Sequence, residues 1–236
     1  MKRLAVLAVG LMVLFGLWTA PAVALSSQEN LGKSIFFDQN VRAIGTNPAL
    51  RVMRRSPAGA VLLRPSTPAA PCTLLTDFTY DNLGVARNPM NPLYGEADFN
   101  PLGAAWIDLG LGGFLASRMD YQHLAAANNG KMKVPTLRNA DKWDSNVLGP
   151  RVKAYTHNGY FKTLKQIVHF YNTRDAKPAC LSAFTTVDDA IAQNCWPAPE
   201  VPVNVNTAEV GNLHLTDAQE DAIVAFMKTL SDGFVP

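Results

Sequence analysis

The chain has 236 residues, of which 48% are hydrophobic and 17% charged, with 21 Lys+Arg against 19 Asp+Glu. This composition excludes a disordered chain and requires substantial apolar burial, in one core or two small ones. Setting aside Lys2 and Arg3 of the leader described next leaves the charges balanced, so no electrostatic footprint for nucleic acid remains.

Residues 1–24 have the layout of a secretory signal peptide. Lys2 and Arg3 supply the positive start, Leu4 to Leu17 an almost unbroken apolar run, and Ala22-Val23-Ala24 the small residues a signal peptidase needs. Cleavage after Ala24 is expected. An uncleaved anchor is the other reading of the same run, which is short for a ~20-residue span. Cleavage leaves no stable membrane span, and the expected location is periplasmic.

A short helix follows, because Ser26 and Glu29 form a capping box and Leu31, Ile35 and Phe36 fall at helical spacing. Residues 41–70 are rich in Arg and Pro, show neither a period of 2 nor one of 3.6, and are expected to be irregular. From Thr76 to Gly103 the chain is rich in Asn, Pro and Gly, which predicts an ordered loop packed by Phe78, Tyr80 and Tyr94. Gly110, Gly112 and Gly113 then allow a close approach of backbone to a flat group or to another backbone, or simply turns.

Thr163 is placed to cap a helix in which Leu164, Ile167, Val168 and Tyr171 share one face. The last helix is the clearest element. Thr216 and Gln219 complete a capping box, Ile223, Phe226, Met227 and Leu230 form its apolar stripe, and Gly233 ends it.

Three cysteines in an exported chain allow at most one internal disulfide. Cys180 and Cys195 are the better pair, bracketing a polar, Ala-rich loop whose closure is worth ~3 kcal/mol, and Cys72 is left over. Two free buried thiols are the alternative. His123, His157, His169 and His214 have no metal-site spacing, and neither a nucleophile elbow nor a phosphate-binding loop occurs. No catalytic residue and no metal ligand is assigned.

One stretch is specific enough to name a family. Val134-Pro135-Thr136-Leu137-Arg138-Asn139, Lys153-Ala154-Tyr155, His157-Asn158-Gly159-Tyr160-Phe161 and the helix from Leu164 stand in sequence. Thr76 to Gly84 lies upstream, and Trp196 to Val201 with Asn204 to Asn206 downstream. Together they closely resemble the electron-transfer domain of the bacterial di-haem cytochrome c peroxidase family (MauG-like). Leu31 to Asp38 resembles the start of the family's peroxidatic haem domain.

The resemblance implies an all-α, loop-rich cytochrome c-like domain over residues 71–236. Before it, over residues 25–70, it implies a remnant of the N-terminal, peroxidatic haem domain. The family activity is reduction of hydrogen peroxide with electrons from a small periplasmic donor, a cytochrome c or a cupredoxin, and the family cofactor is haem c. Arg138 is the candidate for a haem propionate, since its fork matches a carboxylate; it can equally cap a helix end or pair with Asp141. Thr156 stands where many relatives carry Met, so Tyr155 or His157 is the candidate to approach the iron, against a tyrosine and a histidine hydrogen-bonded within a loop.

The family's Cys-x-x-Cys-His is absent. Cys72, Cys180 and Cys195 are followed by Thr73, Leu181 and Trp196, so covalent haem is not expected and the chain reads as a truncated, inactive member. The alternatives are a haem-free exported binding or scaffold protein and the non-functional product of a frameshifted and deleted gene. For the latter, codons 43–58 read out of frame permit Cys-x-x-Cys-His-Ala between Pro48 and Arg54.

Overall fold

The computed structural model describes residues 24–36, 75–76, 78–141 and 154–230. The leader before Ala24, the segment 41–70 with its shifted-frame motif, Cys72, Lys153 and Gly233 lie outside the described residues. Helix α1 (Ser27–Phe36) starts at the expected box: Glu29 N donates to Ser26 Oγ at 3.2 Å, and Ser26 N to Glu29 Oε2 at 2.7 Å. Helices α3 (Leu164–Thr173) and α5 (Asp217–Lys228) have the same device, built from Thr163 with Gln166 and from Thr216 with Gln219. These three helices make the first core. Ile35 and Phe36 of α1 pack with Leu164, Val168, Ile223 and Phe226, and the Phe36 and Phe226 rings stand 5.2 Å apart. Burying each such side chain contributes about 1.5–3 kcal/mol.

The second core is aromatic. Phe161, Phe170 and Trp196 meet there, with Phe170 and Trp196 edge-on at 5.1 Å, while Tyr155, Ile167 and Tyr171 touch both cores. Helix α4 (Val187–Ala192), capped by Thr186, buries Val187 and Ala190 against this core. Its six residues are too few to show a period, and this stretch was expected to be part of a loop. Cys180 and Cys195 flank it and are disulfide-bonded, with Cα atoms 5.1 Å apart.

The described part of the stretch from Thr76 to Gly103 is irregular in a different way from expectation. Phe78 is 58% and Tyr80 44% exposed, so these rings do not pack the loop; its asparagines do. Asn82 Nδ2 donates to the carbonyls of Val201 and Val203 at 3.0 and 2.8 Å, Asn88 to that of Asn158 at 2.9 Å, and Asn100 to those of Leu93 and Gly103. A buried carboxamide replaces the ladder that a loop lacks, satisfying carbonyls water cannot reach.

Two strands, β1 (Tyr80–Asp81) and β2 (Met132–Lys133), pair antiparallel with Tyr80 opposite Lys133. So short a ladder leaves no alternation in the sequence, and it departs from an all-α expectation in a chain that is otherwise mostly helical. Helix α2 (Gly110–Ala116) turns beside it, with Gly110 at φ +55° against the Lys131 carbonyl and Gly112 against Asn129. Here the glycines serve close backbone approach. No described helix is long and apolar enough to cross a membrane.

Candidate functional site

Between the two cores lies a crevice of about 630 Å³, within the size range of cofactor pockets. One wall is the extended run from Lys133 to Ala140, the second is Tyr155-Thr156-His157, and the back is the apolar face of α3 closed by Leu213, Ile223 and Met227. Its surface is mainly apolar because α3 and α5 turn their stripes toward it.

Arg138, Tyr155 and His157 all line this one crevice. The Arg138 region is held by its own backbone: Arg138 N donates to Thr136 Oγ1 at 3.1 Å, and Asn139, at φ +60°, donates to the Leu230 carbonyl at 2.7 Å. Asp141, a possible partner for Arg138, lies 3.8 Å from Lys228 Nζ. Tyr155 Oη donates to the Ala140 carbonyl at 3.1 Å, which ties the two walls together. Thr156 sits at φ +70°, unusual for a β-branched residue, and its hydroxyl bonds back to the Tyr155 carbonyl.

His157 is anchored from behind. Its Nε2 is 3.0 Å from Glu200 Oε2, and Glu200, its side chain 2% exposed, also accepts from Asn158 Nδ2 at 3.0 Å. Glu200 Oε1 is buried without a hydrogen-bond partner among the described residues. A carboxylate so placed orients the imidazole, as carboxylates behind metal-binding histidines do.

Two crevice residues carried no signal in the sequence. Asp81 accepts from Asn206 Nδ2 at 2.8 Å, and burial raises its carboxyl above the ordinary value despite that bond. Tyr171 is raised in turn by burial and by the nearby Asp81. Asp81 ends the two-residue strand β1 and Tyr171 lies on the core stripe of α3, so only the fold makes them neighbours.

No family profile matches the chain. The methylamine utilization protein MauG of Paracoccus denitrificans is 36% identical over 160 residues, a span covering 66% of this chain and 34% of that protein. This likeness supports a MauG-like di-haem cytochrome c peroxidase family for the chain. The crystal structure of the diheme peroxidase BthA from Burkholderia thailandensis has a similar fold, with a TM-score of 0.52 and 24% identity over 89% of this chain and 44% of that one. A single-substitution variant of the same peroxidase gives 0.53 and 25%, over 89% of this chain and 43% of that one. The chain thus spans about a third of the length of the curated relative and less than half that of the solved peroxidase.

The family's cofactor is haem, and the crevice fits it in part. Size and apolar walls suit a flat macrocycle, but the donor set does not suit covalent attachment. Cys180 and Cys195 are bonded to each other and neither lines the crevice. Nor does the 236-residue sequence contain a Cys-x-x-Cys-His. Among the described residues no group of three or more potential ligands is placed to hold a metal ion. No step of peroxide chemistry is derived through a haem that these residues do not fix.

Proposed function

We propose that this chain is an exported, truncated member of the di-haem peroxidase family that keeps the crevice of the electron-transfer domain but does not itself reduce peroxide. One observation supports the reading above others: the crevice is walled by the segments that carry the family likeness, Val134 to Asn139, Tyr155 to His157 and the face of α3. The sequence supplies the other half, since it offers no thioether pair to hold haem c. The intact family passes electrons from a small periplasmic donor, a cytochrome c or cupredoxin, to peroxide. Here the peroxidatic half is reduced to residues 25–70.

The test is expression with the leader and the cytochrome c maturation machinery. Haem staining of a denaturing gel is expected to be negative and peroxide turnover absent. A stain that persists through denaturation overturns the reading.

A second reading, a haem-free exported binding protein, is favoured by the crevice itself. A cavity of about 630 Å³ with apolar walls and a few polar groups suits a flat apolar ligand held without covalent bonds. Saturable quenching of protoporphyrin fluorescence by the purified chain supports it, and unsaturable, weak quenching rejects it. The third, a non-functional product of a frameshifted gene, rests on residues 43–58 and is decided by the coding DNA: the third bases of Pro48 and Arg51 must both be T, and that of Val52 a pyrimidine.

A further inference from the structure

Away from the crevice, α3, the turn that follows it and α5 bring together a relay of three side chains. Glu220 of α5, its side chain 2% exposed, faces His169 of α3, whose Nδ1 lies 3.0 Å from Oε1 and 3.2 Å from Oε2. An ionised carboxylate only accepts, so Nδ1 carries the hydrogen and Nε2 presents its lone pair. That nitrogen stands 2.6 Å from Lys177 Nζ.

The ammonium therefore donates to a histidine whose ring a buried carboxylate orients through Nδ1. Nucleophile, base and orienting group form the arrangement that activates amines and hydroxyls elsewhere. Burial lowers the Lys177 pKa against the opposing pull of Glu220. Lys165, also on α3, lies 2.6 Å from Asp217, 3.1 Å from Glu220 and 2.8 Å from Asp221. Burial lowers its pKa too, but the hydrogen bonds to these carboxylates outweigh that and raise it, so Lys165 stays protonated.

We propose that Lys177 is a nucleophilic amine, with His169 as its base and Glu220 orienting that base, and that it condenses with small aldehydes. The relay opens to solvent, the His169 side chain being 25% exposed, so a small carbonyl compound reaches it without a preformed pocket. Lys177 Nζ passes a proton to His169 Nε2 and attacks the carbonyl carbon. The C–N bond forms as the carbonyl pair moves to oxygen, which takes the proton from His169. The nitrogen's second proton passes by way of His169 Nε2 to that hydroxyl, which leaves as water as the C–O bond breaks, and a protonated imine remains; no electrons are exchanged. Trp196 lies beneath, with Lys177 Nζ 5.5 Å from its ring, and shields one side of the amine.

The experiment treats the full chain with glycolaldehyde and cyanoborohydride at neutral pH and quantifies each alkylated lysine by peptide mass spectrometry. Lys177 is expected to react several-fold faster than the exposed Lys133 and Lys228, with Lys165 the slowest. In His169→Gln the rate at Lys177 falls to that of Lys228 while the other lysines keep theirs. Equal rates at Lys177 and Lys228 in the unmodified protein, a comparison that needs no variant to fold, overturn the proposal. So does an unchanged Lys177 rate in His169→Gln.

Discussion

Gly32 in α1 lies against the main-chain carbonyl of Ala222 in α5, so closely that a methyl group at residue 32 would overlap it. The obstacle is backbone, which cannot swing aside as a long side chain would. The first core depends on this crossing, because it is what brings Phe36 to Phe226. Gly32→Ala is expected to destabilise by roughly 1–3 kcal/mol, the usual cost of overpacking, read as a lower urea midpoint. A midpoint equal to that of the unmodified protein would refute the crossing.

The Cys180–Cys195 bond closes a loop with a sequence separation of 15 that contains α4. Reduction, or Cys180→Ser, is expected to cost about 3 kcal/mol by the chain-entropy argument, and to loosen Trp196, whose N–H donates to the Pro178 carbonyl at 3.0 Å. Trp fluorescence during denaturant unfolding reports both effects. Mass mapping of the unreduced protein is expected to find Cys72 as a free thiol; a Cys72-linked peptide would contradict that.

Glu220 makes stability depend on pH in a defined sense. Burial pushes its carboxyl up, but hydrogen bonds from His169, Asn172 and Lys165 outweigh burial and hold it below the ordinary value of 4.5. A folded-state pKa below the unfolded one contributes stability that is fully present above about pH 4.5 and is lost as pH falls through the folded value. Glu220→Gln is expected to cost about 3 kcal/mol at neutral pH, as when one partner of a buried pair is removed. The gap between variant and parent should narrow as pH drops toward 3. Urea midpoints measured at each pH test this, and a gap constant across the series would remove Glu220 from the acid limb.

Val168 is buried at the back of the crevice. Val168 also belongs to the first core, so Val168→Phe is expected to cost about 1–3 kcal/mol by overpacking while it fills part of the crevice. Protoporphyrin quenching should weaken about tenfold, which corresponds to 1.4 kcal/mol of lost binding. Unchanged quenching would show that the probe binds elsewhere.

How much of this was legible beforehand follows from the range of the interactions. The capping boxes at Ser26, Thr163 and Thr216 each join residues three apart, and the apolar stripes of α1, α3 and α5 repeat within a few turns, so the sequence by itself determined these helices. It also determined the family likeness, through Val134 to Asn139 and His157 to Phe161, and the lack of a haem-attachment motif. The tertiary structure alone decided the rest. Helix α4 is too short for a period, β1 and β2 come from distant segments with no alternation, and the buried asparagines look like ordinary turn residues until their carbonyl partners arrive. The contacts of the site are longer in range still: His157 meets Glu200 across 43 residues, and His169 meets Glu220 across 51. A carboxylate placed behind an imidazole leaves no periodic trace in either segment, because nothing local holds the two together; the packing of α3 on α5 and of one loop on another does.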